Sequence, residues 1–586
     1  MAASRKHLPK VLLFGAITAA LVICCTPEAS WANLNKDLYD FLYSTTYLNV
    51  AHAPGLPLYV LLGKLITMLP GNDAWNLAFF LSVIPTLITC GLIFYVVSSR
   101  TSYKLAPYLA TTAFAGSVVV FSQSVIPEIY ALESMLLVGA YVLFARSHIR
   151  LAMLTVGLAM CISYGAVILL PIFLISFVPT WKLRLKKLIW CVPPLLLYLY
   201  IPLLNAPPHM SLGPTSLDSL FQYYFWHPAA LLNLAIWEVP ERIGMGIALL
   251  IASLGLTTLI AARGIVKREN IILMFLAIPG IIFFLTTRGA DSLVQLFPST
   301  AFLSIIAGYT VGDFRWARKL AVPAIACSLI LLVVNTQMFD IGRTLDPSPT
   351  TASQFYQSLD EIPEDNAVIV AIDAVTFAQV FYYNENSNRE LQAVHPFYTD
   401  PDNAMSWELE RIGNAVIPEL TPFDYDIGEW PTNFDYWDLE AARAFNDANP
   451  HLTVYLTMSG PNREIRSPTL ISAYEDPNTI LTRPLIEQHT SWWEYALIYP
   501  YAYKCASGYY EMSKGWLIET QTNMTVGLFG VILAFGAVFG YFAPKKLFYK
   551  LSPKSKQLAT MISTAVLAIM FCYFLGLMGV PGFRLW

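Results

Sequence analysis

Long apolar runs separated by short polar breaks dominate the chain. They begin with residues 11–25 and continue over 77–98, 106–125 and 129–145. The run 151–179 has basic residues at both ends, so it reads as two short crossings broken near Ser163 to Gly165. Further runs cover 187–206, 243–262, 270–287, 293–312, 320–338, 524–543 and 556–577. Their lengths suit helices crossing the hydrocarbon layer, and their Lys and Arg clusters fall at alternate breaks. Arg100 and Lys104, Arg146 and Arg150, Arg263, Lys267 and Arg268, Arg315, Arg318 and Lys319, and Lys545, Lys546 and Lys550 then share the cytoplasmic side. The pattern predicts about 13 crossings and a C-terminus outside.

The first run follows Arg5, Lys6 and Lys10 and precedes Pro27 and the small-residue stretch around Ser30 and Ala32. It reads as a first span or as a cleaved signal peptide. The span is preferred, because a functional loop after it would need an anchor. In either case residues 27–75 lie outside the cytoplasm. One long stretch, 339–522, breaks the apolar pattern. Within it, 367–372 and 453–457 read as buried strands, and the segments 406–420 and 438–450 as helices of an α/β layer. The chain thus divides into a membrane module over 1–338, a soluble α/β domain over 339–522 and a C-terminal membrane pair over 523–586.

Composition sharpens this division. At 56% hydrophobic and 13% charged residues, with a mean hydropathy of +0.53, the 586-residue chain is too apolar for a soluble enzyme with one core and is predicted to be an α-helical polytopic membrane protein. The net charge of −4 hides an asymmetry: residues 339–522 hold 28 of the 40 acids and 9 of the 36 bases, leaving 12 acids and 27 bases elsewhere. A basic membrane body with an acidic extracytoplasmic domain follows, and nucleic acid is disfavoured as a partner. Seven of the eight cysteines sit in apolar runs, and Cys505 lies outside them; no disulfide framework or CxxC metal site is indicated.

Candidate chemistry gathers at external span ends. Asp37 and Asp40 are three apart, so a helix would put them on one face, and His52 and Lys64 follow. Glu128 stands beside Pro127 at the outer end of a span. The loop 207–240 carries Asp218, Tyr223, Tyr224 and His227, and a hairpin joins Arg288 to Asp291. Such groups commonly snorkel or solvate a loop end; several spans contributing them to one face is the less usual case. In the acidic domain, Asp373 either caps a helix or binds a ligand. Trp430, Trp437, Trp492 and Trp493 either stack on sugars or, for the last two, mark the membrane interface.

These residues carry a resemblance. Asp37-Leu38-Tyr39-Asp40, then His52-Ala53-Pro54-Gly55-Leu56-Pro57-Leu58, resemble the D-x-G-E and H-P-P-G-x-P-L motifs of the GT-C-fold polytopic glycosyltransferases that include the transmembrane protein O-mannosyltransferases. Ser122-Gln123-Ser124-Val125-Ile126-Pro127-Glu128-Ile129-Tyr130-Ala131-Leu132-Glu133 resembles that family's S-Q-x-V-I-x-E-V-Y-A-L-N. YLYIPLLNAPP, with FWHP downstream, resembles a third segment. Tyr39, Asp40, Ala53 and the pair Leu204-Asn205 depart from the family pattern. The resemblance covers the first 230 residues well and the C-terminal domain loosely.

The resemblance implies transfer of a mannose-like hexose from a polyprenyl-phosphate donor to an acceptor hydroxyl outside the cytoplasm, with inversion. The donor's lipid tail lies in the bilayer, and the acceptor belongs to a protein or glycan. Asp37 would take the acceptor proton, and Asp40 would orient the base or acceptor, or pair with Asp37 on a divalent cation. Arg288, with His52 and Lys64 behind it, would meet the leaving phosphate. Glu128 would pair with a base of the first loop or position sugar hydroxyls, and Tyr224 and His227 belong to the acceptor loop. No other cofactor is implied. The membrane is a bacterial inner membrane or an endoplasmic reticulum. A non-catalytic membrane subunit keeping this fold is the alternative. A transporter fits less well, since its ionisable groups would lie mid-membrane.

Overall fold

The computed structural model describes residues 2–25, 38–51, 55–178, 180–201, 253–286 and 296–344, with residues 250 and 294 and parts of 359–466. The described chain is almost entirely helical. Its first helices are α1 (Ala2–Cys24), α2 (Leu38–Thr46), α3 (Pro57–Thr67), α4 (Asp73–Ala78) and α5 (Ile84–Arg100). Asn72 caps α4 by accepting from the Trp75 amide, and a π-helical turn, Phe79–Val83, joins α4 to α5. Together they form one 28-residue helix, Asp73–Arg100, long and apolar enough to cross a membrane.

The run 106–125 is built of two helices, α6 (Ala106–Ala115) and α7 (Val118–Ser124), parted at Gly116 and Ser117. Ser117 recaps the chain by accepting from the Val120 amide, and Asn335 donates to the Gly116 carbonyl at 2.9 Å. Gly116 packs against the Ser328 carbonyl so closely that a Cβ would collide with it. Next come α8 (Tyr130–Ala145), α9 (Ile149–Met160) and α10 (Tyr164–Phe177), and the break between α9 and α10 falls where the sequence places it. The helix α11 (Trp181–Leu188) leads into mixed 3₁₀ and α turns, including α12 (Val192–Leu195), in which Pro193 and Pro194 withhold two amide donors. The described helices end with α13 (Thr257–Ile265), α14 (Ile271–Thr286), α15 (Leu296–Asp313) and α16 (Arg315–Thr344).

Basic residues from separate helices meet at one end of this bundle. Arg100, closing α5, pairs with Glu269 ahead of α14 at 3.0 Å and lies 4.1 Å from the Tyr309 ring of α15. Lys267 pairs with Asp313 at 2.7 Å. Arg146 stacks on Tyr95 and Arg318 on Tyr103. The convergence is the one that the alternation of basic clusters predicts.

The outer faces of the helices are apolar. Along α16, Ala321, Ala324, Ser328, Leu332 and Asn335 are buried at intervals of three and four, while Val322, Ile330 and Val333 on other faces are about 60% exposed. In water such a surface would drive association; against lipid tails it costs nothing, and the surface is that of a membrane protein. Beyond the helices, β1 (Val368–Val370) pairs in parallel with β2 (Gln392–Val394) and β3 (Val454–Thr457), and β4 (Ile465–Arg466) lies antiparallel to β3, giving the order β2-β1-β3-β4. β1 and β3 fall on the two apolar runs read as strands. The first helix expected between them, residues 438–446 of the second, Asp373 and the four tryptophans lie outside the described residues; 447–448 are helical.

Candidate active site

The site lies at the end of the bundle opposite the basic residues. Asp40 stands in the first turn of α2, where the helix dipole favours a carboxylate. It is 1% exposed and accepts from the Ser44 hydroxyl one turn later at 3.0 Å. α2 packs on α3 through Phe41 and Tyr59, ring centroids 4.8 Å apart, and through Gly63, whose missing Cβ makes room for Thr45. Lys64 donates to the Thr46 carbonyl, satisfying the C-terminus of α2.

The corner before α3 has an unusual backbone. Gly55 has φ 85° and Leu56 φ 42°, although a side chain before proline ordinarily keeps to extended conformations. Surrounding bonds hold the corner. The Tyr200 hydroxyl lies 3.0 Å from the Gly55 carbonyl and 3.4 Å from that of Asn49, and the Leu58 amide donates to Cys161 at 3.4 Å.

Glu128 reaches the site from the segment between α7 and α8. Ser82, on the π-helical turn, accepts from the Glu128 amide and faces its carbonyl, both at 3.2 Å. The carboxylate accepts from the Ile129 amide at 3.3 Å and is buried. Tyr59 links the two acids. Burial raises its hydroxyl well above the usual tyrosine range, and the charges of Glu128 and then Asp40 raise it further. Both carboxylates therefore act on one hydroxyl, which finds no hydrogen-bond partner among the described residues. Glu133, in the first turn of α8, is also buried. It takes a hydrogen bond from Ser163 and lies against Gly165, where a Cβ would come within 3.0 Å of it.

Of the residues singled out in the sequence, Asp40 and Glu128 are buried with charges that both bear on Tyr59, and Lys64 sits on the Thr46 carbonyl. Asp37, His52, Tyr224, His227 and Arg288 lie outside the described residues. Among the described residues no three His, Cys, Asp or Glu side chains form a set that could hold a metal ion. The sequence reading missed Tyr59, Ser44, Ser82 and Tyr200, and treated Glu133 as part of a motif without a role. An ionisable group inside an apolar run was the signal available for Glu133.

The arrangement combines buried proton acceptors with a neutral donor at the end of the bundle opposite the basic cluster. No family model matches the chain, and no curated protein matches it. Among solved structures the chain is similar to ArnT from Cupriavidus metallidurans bound to undecaprenyl phosphate, at 11% identity and a TM-score of 0.46, over 66% of this chain and 86% of that one. At that level of likeness nothing about this chain's chemistry is taken from that protein.

Proposed function

We propose that the chain is a membrane glycosyltransferase of the GT-C class, moving a mannose-like hexose from a polyprenyl phosphate to an acceptor hydroxyl of a protein or glycan on the extracytoplasmic side. One observation carries the reading: Asp40 and Glu128, from two motifs far apart in the chain, are both buried, and the charge of each bears on the buried Tyr59 hydroxyl at the end opposite the basic residues. Asp37 takes the proton as the acceptor oxygen bonds to C1, and the C1–O bond to phosphate breaks with inversion. General base help of this kind contributes roughly 10² to 10⁴ in rate. Asp40, fixed by Ser44, orients the base or the acceptor. Arg288, with His52, meets the charge developing on the phosphate.

A divalent cation would need hard oxygen donors. The pair that would hold it is Asp37 and Asp40, of which Asp37 lies outside the described residues. No step above depends on it.

The test is transfer from polyprenyl-phosphate sugars to an acceptor pool by the purified full chain. Wild type is expected to transfer, and Asp37→Asn to lose at least about 100-fold. Undiminished transfer by Asp37→Asn removes it as the base. The departures at Tyr39 and Asp40 favour a second reading, a non-catalytic membrane subunit; absence of transfer from every donor, with stable co-purification of partner chains, would select it.

A further inference from the structure

At the basic end of the bundle, α11 reads WKLRLKKL, four bases in eight residues, too short and too charged to cross a membrane. Its start is fixed by Thr180, whose hydroxyl accepts from the Leu183 amide at 3.4 Å. Arg184 is buried and turns back on the preceding helix: Nε donates to the Val178 carbonyl at 2.7 Å and Nη2 to that of Ile175 at 3.3 Å. It satisfies the C-terminus of α10, where a cation suits the dipole. Arg184 is therefore part of the scaffold, while Lys186 is exposed and Lys187 partly so.

The turn after α11 is held just as firmly. The Cys191 thiol donates to the Met153 carbonyl of α9 at 3.1 Å, and Gly157 lies so close to Cys191 that a Cβ would approach its carbonyl oxygen at 2.7 Å. This fixes Trp190, 38% exposed, beside the Arg150 guanidinium, 5.4 Å from the ring centroid. Lys187 precedes Trp190 by three residues, the spacing that aligns side chains where α11 passes into the 3₁₀ turn Ile189–Cys191, and Lys186 is the residue before it. Leu151, Ile189 and Val192 are exposed beside them. Cations, an indole and bare aliphatic side chains thus adjoin on a rigid surface. Water would leave the aliphatic part unsatisfied. A lipid meets all three: acyl chain on the aliphatic side chains, interfacial indole, phosphate on the bases.

We propose that Arg150, Lys186 and Lys187, grouped about Trp190, bind the headgroup of an anionic glycerophospholipid of the cytoplasmic leaflet, its acyl chains lying along Leu151, Ile189 and Val192. Charge complementarity selects the occupant, since a zwitterionic headgroup offers no net charge to three bases and the cytoplasmic leaflet supplies anionic ones. The site lies at the opposite end from the acidic pair and stands independently of the transferase reading.

The full-length protein, reconstituted in phosphatidylcholine nanodiscs doped with phosphatidylglycerol, can be released and weighed by native mass spectrometry. Wild type is expected to retain phosphatidylglycerol over phosphatidylcholine. The double variant Lys186→Gln/Lys187→Gln should lower that retention about thirtyfold and Arg150→Gln about fivefold, each with an unchanged melting transition in pure phosphatidylcholine. Lys319→Gln, which removes an exposed base elsewhere at the same end, should leave retention unchanged. Equal retention by wild type and either site variant overturns the proposal. So does an equal loss in Lys319→Gln, which would mean diffuse attraction to the whole basic end.

Discussion

Tyr59 carries a hydroxyl that is sealed from solvent and lacks a hydrogen-bond partner among the described residues, between two carboxylates. Burying such a group without a partner costs about 1–3 kcal/mol. Tyr59→Phe is therefore expected to raise thermal stability by about 1 kcal/mol. Under the proposed function it lowers transfer, because the hydroxyl is a neutral donor at the reacting end, and a melting curve beside a transfer assay reads both. The pH dependence has a definite sign. The folded state holds this proton above the usual tyrosine value of about 10, whereas the unfolded chain releases it there. Tyr59 thus favours the folded state less as pH rises past about 10, and wild type should lose more stability between pH 9 and 11 than Tyr59→Phe does. Asp40 was legible as a candidate from its spacing to Asp37 and from its motif. Tyr59 was not: in YVLLGKLITMLP it reads as one more apolar-helix residue, and only the fold sets it between acids from two motifs.

The helices show what the apolar pattern conveys and what it omits. The break at Ser163 was readable because bases stood at both ends of one long run. The break at Gly116 was passed over although Gly116-Ser117 is a stop and cap pair within the run; what fixes it is a tertiary contact, the α16 backbone pressed against a residue with no side chain. Gly116→Ala would force a methyl group into the Ser328 carbonyl. Overpacking of this kind typically costs about 1–3 kcal/mol, and a melting-temperature loss in detergent checks it, with Gly91→Ala, where nothing lies within 4 Å, as the neutral comparison. β1 and β3 were readable as short apolar runs. β2, Gln392–Val394, was not, because it contains Gln392 and lies between Glu390 and His395, with no apolar run around it like that around β1. The tie from Tyr200 to the two carbonyls flanking the His52 loop is likewise invisible in sequence, since it links positions about 150 residues apart.

For the whole molecule, clusters that the sequence reading places on the cytoplasmic side lie together at one end of the bundle, and the acidic pair lies at the other. Single cysteines placed at Arg146 and Lys319 in intact cells or sealed vesicles should react with an impermeant thiol reagent from the cytoplasmic face alone. Labelling from the outside would invert the orientation and remove the extracytoplasmic site. The corner at Gly55 and Leu56 bears on how that site operates. A leucine held in the left-handed region stores about 1–2 kcal/mol, like a bent spring latched by Tyr200 and Cys161. Freeing the latch returns that energy, so the corner at Gly55 and Leu56 is cheaper to rearrange than an unstrained corner tied by the same bonds. The entry to α3 is thereby a place where tension is kept in the main chain, held by contacts from distant parts of the sequence.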